Sequence, residues 1–525
     1  MTILGWEESG GDPIRLVPEA RARGVYVVGT TGMGKTTLLQ SIAYQDMAAG
    51  HGVCVLDPHG DMIDWLLERV PEHRVKDVIL FDPADENHPF GMNLLECDRN
   101  NPKQVRWVVS TIMATLKRLY EWTWGPRLEH VLGHTLWTAM AIPDSTIIEV
   151  LLLLSDTKYR EYWVKRLDEP LLQDFWQSFP TNPRDWMEFV SSTVNKLTPF
   201  LLDSSMRMIL GQPKNTFKMR EVMDEQKILL VNLSKGDLGE HNSSLLGSVL
   251  VNLILISALS RRDRPTEWRK ERPFHVIVDE YQNFANDSFS VLQSEARKYA
   301  VDLVVAHQFR DQLTEETRGS ALNVGNFICF RTTGTDGQEL ASQFDNTPPE
   351  PEIIYQPKMF PSQRDETSFK PGRAYVAAKG PQRLYSDMMM QKANHLANLQ
   401  TYAFDARIIE PESDTLNPQG KKQRLVLGEH LLITIDPDPQ QTENTLLETI
   451  YGKQVPEHAD VIRAQSRRMA RDRAEVEAEI YHRTLKRAGM KVPIRMKEVA
   501  EVEEVDEGHL NEYLSPDFDF TIMNG

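Results

Sequence analysis

The chain has 525 residues, 41% of them hydrophobic, enough for two to four domains and at least one large core. A formal net charge of −17 excludes a protein coated in basic surface for static nucleic-acid binding, though not a basic strip inside a groove or pore. The three cysteines, Cys54, Cys97 and Cys329, lie far apart with no CxxC, which suggests neither a zinc site nor a disulfide framework and fits a reducing cytoplasm.

In chain order, residues 1–23 read as an N-terminal extension without a secretory signal. GVYVVG is then a strand, KTTLLQSIAYQDMAA a helix, VCVLDP a strand, DMIDWLLERV a helix and DVILFDP a strand. Short apolar strands alternating with helices predict a mostly parallel sheet covered on both faces, an α/β fold. Residues 96–221 carry helical spacing, punctuated by Pro143, Pro170, Pro180 and Pro183, and predict an all-α insertion domain. Strands resume at KILLVNL, FHVIVDE, VDLVVAHQ and NFICFR, with a last one at GRAYVAAKG (372–380). One nucleotide-binding domain, 24–95 and 222–410, is thus interrupted by the insertion. The longest apolar run, residues 249–259, is shorter than a bilayer span and contains Asn252, so it predicts a buried helix and no membrane span.

Residues 411–525 read as a C-terminal extension. Its charged helical stretch, 456–489, repeats Arg463, Arg467 and Arg471 every four positions. These arginines suit either phosphate contacts or a solvated face salt-bridged to Glu475, Glu477 and Glu479. From Glu498 onward there are nine acidic residues and no Lys or Arg, a solvated or partner-binding tail.

Residues 29–37, GTTGMGKTT, match G-x-x-x-x-G-K-[ST] between a strand and a helix. Backbone N–H groups of Gly29, Thr30, Thr31, Gly32, Met33, Gly34, Lys35, Thr36 and Thr37 would converge on phosphates, aided by the positive end of the following helix. Lys35 would reach the β- and γ-phosphates, and the Thr36 hydroxyl would hold Mg²⁺. FHVIVDE ends in two adjacent carboxylates. Asp279 suits the water shell of that Mg²⁺, and Glu280 suits a general base for the attacking water. Helix capping is the bland alternative for this pair, but a phosphate loop in the same chain favours catalysis. Gln308, at the end of the strand VDLVVAH, would sense the γ-phosphate or the water. Arg297, eleven residues earlier, would serve as an arginine finger on a neighbouring subunit; spacing alone favours a surface salt bridge there. Arg331 is a second candidate for that work.

Together GTTGMGKTT, VLDPHGD, VNLSKGDLGE, VIVDEYQNF, SEARKYAVDLVVAHQ and NFICFRTTGTDGQELASQF resemble the type IV secretion coupling ATPases of the TraG/TraD kind, in the HerA–FtsK superfamily of DNA pumps. The resemblance spans roughly residues 24–410. It implies a RecA-like P-loop ATPase fold, a homo-hexamer with ATP and Mg²⁺ between subunits, and single- or double-stranded DNA moved through a central pore. It gives Arg297 the trans-acting role and Gln308 the sensor role. It also aligns Asp57 and Asp61 of LDPHGD with an aspartate and a glutamate of relatives, where Asp61 is the shorter side chain. The insertion would meet a relaxase, secretion-channel or nuclease partner. Coupling proteins of the membrane-bound type begin with transmembrane helices, whereas here the phosphate loop comes within 30 residues of the first residue. The expected location is therefore the cytoplasm, with any membrane recruitment left to a partner. Two other readings stay open: a HerA-like DNA-processing or defence ATPase working with a nuclease, and an ATP-dependent scaffold that is not a motor.

Overall fold

The computed structural model describes residues 1–7, 13–178, 180, 182–284, 287–313, 318–319, 321–344, 353–360, 372–379, 385–409, 430–433 and 444–484. In chain order the strands are β1 (Thr2–Glu7), β2 (Pro13–Leu16), β3 (Val25–Val28), β4 (Gly52–Asp57), β5 (Val78–Phe81), β6 (Ile228–Asn232), β7 (Phe274–Val278), β8 (Val301–His307), β9 (Asn326–Cys329), β10 (Ile353–Phe360), β11 (Gly372–Lys379), β12 (Ala403–Arg407) and β13 (His430–Ile433). Eleven form one sheet of order β2-β1-β13-β12-β9-β3-β8-β7-β4-β6-β5. The run from β9 to β5 is parallel throughout. From β12 to β2 the pairing is antiparallel.

The parallel strands are apolar at successive positions because both of their faces are covered. Val25, Val27, Val53 and Val55 pack on one side with Leu38, Leu39 and Ile42 of the helix Lys35–Ala48. Tyr26, Val28, Cys54 and Leu56 face the other side, where Leu250, Ile254 and Phe284 pack. Each buried Val or Leu contributes roughly 1.5–3 kcal/mol, and the buried polar residues of these strands have partners, as Asn326 does in the Ala20 and Gly24 carbonyls.

From Pro102 to Asp224 the described elements are all helical. Four helices start on a proline, at Pro102, Pro126, Pro170 and Pro183, where the missing N–H costs nothing. A capping box between Thr146 and Glu149 starts another. The apolar run at 249–259 lies within a longer helix, Glu240–Ser260. The segment Glu240–Asp263 is long and apolar enough to cross a membrane, but 72% of its apolar window is buried inside the protein. It is a core helix, with Asn252 donating to Thr115 Oγ1 on helix Pro102–Leu119.

Four expectations need correction. Residues 1–23 are not a separate extension, because β1 and β2 form the antiparallel edge of the main sheet. The strand at 372–380 does not join that sheet; β11 pairs with β10 in a two-stranded antiparallel ribbon. The region after 410 is not simply appended, since β13 inserts between β1 and β12. The charged stretch at 456–489 is two helices, Pro456–Met469 and Arg473–Thr484. The first docks on β5, where Ser466 Oγ accepts from Leu80 N at 2.9 Å. Its arginines are salt-bridged: Arg463 to Asp64 and Arg467 to Asp85, while Arg471 reaches Glu479. Of the three glutamates expected as partners, Glu479 alone is used by these arginines. The acidic tail from Glu498 lies outside the described residues.

The N-terminal edge is tied to the phosphate-loop helix by a buried ion pair. Arg21 donates to Asp46 Oδ1 at 2.7 Å and to Oδ2 at 2.5 Å, and also to Thr2 Oγ1 at 3.0 Å. Both charged side chains are almost fully buried. Arg21→Met strands the Asp46 carboxylate and should cost about 3–5 kcal/mol in denaturant unfolding, whereas Arg21→Met with Asp46→Leu should recover most of that loss.

Candidate active site

Parallel register aligns the strand ends. Arg331 follows β9, Gly29 follows β3, Gln308 follows β8, Asp279 follows β7 and Asp57 closes β4, in that spatial order along one sheet edge. Ligand sites of open parallel sheets lie outside such carboxyl-terminal strand ends.

The loop 29–34 joins β3 to the helix Lys35–Ala48. It is anchored from both sides: Thr30 N and Oγ1 donate to the Arg331 carbonyl at 2.7 and 3.1 Å, and Tyr402 N donates to the Met33 carbonyl at 2.9 Å. Glycine is required at two points. Gly34 sits at φ 111, where a Cβ would lie 2.8 Å from the Tyr402 ring and 3.2 Å from the Phe330 ring. Gly32, at φ 77, meets nothing within 4 Å, which leaves open the space a phosphate would enter. The buried Lys35 ammonium folds back onto the Thr30 carbonyl at 3.2 Å. Burial lowers its pKa, and Glu280 and Asp279 oppose that shift.

The Thr36 hydroxyl donates to Asp279 Oδ2 at 3.2 Å, and Glu280 N donates to Asp279 Oδ1 at 2.9 Å. Both carboxylates are buried. Burial, then Glu280 and Asp57, push the Asp279 carboxyl up to about 6. Gln308 bridges the loop and the acid pair. Its Oε1 accepts from Thr31 Oγ1 at 2.9 Å, and its Nε2 donates to Glu280 Oε1 at 2.6 Å. The second Glu280 oxygen accepts from Gln282 Nε2 at 2.5 Å. Glu280 itself is left-handed, at φ 44 and ψ 50, the kind of strained backbone that a surrounding network must hold.

Sequence reasoning missed Gln282. It was legible only as part of YQNF, with nothing to say that its amide turns back two residues. Arg297 is not in the cluster. It is exposed on a turn before β8, at the opposite sheet edge, with no side-chain hydrogen bond or ion pair among the described residues. Seven strand residues separate that turn from Gln308, roughly 23 Å of chain. Arg331 touches the site through its carbonyl. Asp57 is turned to local backbone, accepting from His59 N and Met62 N at 2.9 Å each, and so caps the helix Asp61–Leu67. Asp61 is exposed in the first turn of that helix.

The donors fit a magnesium nucleotide. Among the described residues no three His, Cys, Asp or Glu side chains converge as a metal cage. A hard cation here would rely on phosphate oxygens and water, with Thr36 as a direct ligand and Asp279 acting through water. An acid raised from 3.8 to about 6 holds its proton longer when folded than when unfolded. Its ionisation therefore lowers stability as pH rises from about 4 to about 6, and the full penalty stands above that. Asp279→Asn should stabilise the nucleotide-free protein at pH 8 by on the order of 2 kcal/mol, with the gain gone by pH 4 in chemical denaturation, while Mg²⁺-dependent nucleotide binding is lost.

Comparison with known proteins bears on the fold. Residues 11–322 match the family model described as the type IV secretion-system coupling protein DNA-binding domain. Among solved structures, the unbound bacterial conjugative coupling protein TrwBdeltaN70 is similar at a TM-score of 0.52 and 15% identity, over 83% of this chain and 90% of that one. TrwB in complex with ADP and Mg²⁺ gives 0.52 and 15% over 80% and 87%, and TrwB with the non-hydrolysable GTP analogue GDPNP gives 0.51 and 15% over 83% and 92%. No match was found among curated protein sequences. These likenesses share the fold, and the family match covers more than half of the chain: the chain belongs to the type IV secretion-system coupling protein DNA-binding domain family.

Proposed function

We propose that the chain is an ATP-driven DNA translocase. The observation that carries this reading is the Gln308 bridge, which links the phosphate loop at Thr31 to the Glu280 carboxylate. A structural acid pair would not need such a link. The solved TrwB complexes with ADP and Mg²⁺ and with a non-hydrolysable ATP analogue support ATP and Mg²⁺ as the ligands. Mg²⁺, when bound, would neutralise developing phosphate charge.

In this reading the main sheet and its covering helices form the motor, with β1, β2 and β13 at the antiparallel edge, and the helices within 96–221 form the insertion. The N–H groups of Gly29 to Thr37 and the Lys35 ammonium hold the β- and γ-phosphates. Thr36 and Asp279 set the cation. Glu280 takes a proton from water as the water oxygen bonds to the γ-phosphorus, the bond to the bridging oxygen breaks, and ADP leaves. Gln308 reports this change, because its amide contacts both the loop and the base. Six copies form a ring, and the exposed Arg297 reaches a neighbour's nucleotide, consistent with its distance from its own. The family's DNA-binding description supports DNA, single- or double-stranded, as cargo, and favours DNA transfer over a HerA-like defence role. A relaxase or channel component on the cytoplasmic side would engage the insertion.

Lys35→Ala and Glu280→Gln should each lower DNA-stimulated ATP hydrolysis at least a hundredfold, with Glu280→Gln still binding ATP. If both hydrolyse like wild type, the site is wrongly assigned. A directional triplex-displacement assay tests the motor: ATP-dependent displacement is expected, and robust hydrolysis without displacement would support the scaffold reading instead.

A further inference from the structure

The helix Pro102–Leu119 carries Arg118 in its last turn. Its Nη2 donates to the backbone carbonyl of Gln282, the residue whose side chain holds Glu280. Nη1 is buried with no hydrogen-bond partner among the described residues. Burial pulls this guanidinium down to about 10, with Glu121 opposing. An under-paired cation of this kind lowers stability rather than raising it, because its desolvation is not offset by a carboxylate. Packing alone would be served better by an apolar side chain of similar length. What Arg118 does accomplish is geometric: it fixes the one turn, 281–283, that follows the left-handed Glu280. A second anchor acts on the same turn, where Asn283 Nδ2 donates to the Glu280 carbonyl at 2.8 Å and its Oδ1 accepts from Lys235 Nζ at 2.7 Å.

We propose that Arg118 is a positioning residue for ATP hydrolysis, acting through Gln282 on the Glu280 carboxylate. The helical segment thereby reaches into the hydrolytic site by a direct path: guanidinium to Gln282 carbonyl, Gln282 amide to Glu280. A shift of helix Pro102–Leu119 is thereby passed to the base. This rests on Glu280 being the general base.

The test uses the full chain and reads steady-state hydrolysis, binding of a fluorescent ADP, and melting temperature. Arg118→Met should keep or raise the melting temperature, leave ADP affinity and the KM for ATP within twofold, and lower kcat about tenfold. Gln282→Ala should lower kcat by a similar factor. The double variant should lose no more than either single one, and Arg118→Lys should restore part of the rate. An unchanged kcat, additive losses, or a loss that appears as failed folding or weakened ADP binding would overturn the proposal. Glu280→Gln in the same series separates the two claims. If it hydrolyses ATP like wild type, the base assignment has failed. If it is inactive while Arg118→Met and Gln282→Ala are normal, only the positioning role has failed.

Discussion

Three neighbouring parallel strands, β3, β8 and β7, end within two residues of one another in register, and the chemistry depends on that constraint. Val28 pairs with His307 and Val278 with Val305, so the residues just beyond emerge side by side. Helices on both faces hold the strands in register, since a slip of one residue would send Tyr26 and Val27 to the wrong cores. The phosphate loop is thereby brought against a glutamine and an acid pair that lie more than 240 residues further along the chain. Gln308, on the middle strand, is the residue able to touch both neighbours.

The same arrangement concentrates negative charge. Asp279, Glu280 and Asp57 lie at the ends of adjacent strands, all buried, while the Lys35 ammonium is turned to the Thr30 carbonyl. Burial, Glu280 and Asp57 oppose ionisation of Asp279, a penalty that grows as pH rises from about 4 to about 6. A divalent cation reverses that sign, because it favours the ionised forms that burial disfavours. The unliganded site is therefore electrostatically poor by itself and suited to a charged guest.

Much of this was legible in the sequence. Continuous apolar strands, the GTTGMGKTT loop and the acids closing FHVIVDE each announce themselves within ten residues. Distant pairing was not legible. The strands β1 and β2 are short and join the sheet only through β13, more than 400 residues later, so residues 1–23 read as an extension. GRAYVAAKG has the right composition for the main sheet, yet its register partner is Ile353–Phe360. The arginines of Pro456–Met469 showed their spacing but not their partners, because Asp64 and Asp85 belong to a different part of the chain. Arg118 escaped for the same reason, because its contact with the Gln282 carbonyl spans 164 residues and leaves no local pattern.

Hydrolysis at this site depends on what Glu280 touches when the phosphate is in flight. A structure of the protein with Mg²⁺, ADP and a planar metal-fluoride mimic of the γ-phosphoryl group reads this directly. The account predicts Glu280 within hydrogen-bond reach of the water in line with the mimic, Thr36 on the cation and Lys35 on the fluorides. Glu280 turned away from the water, with another side chain of the same subunit orienting it, would contradict the account.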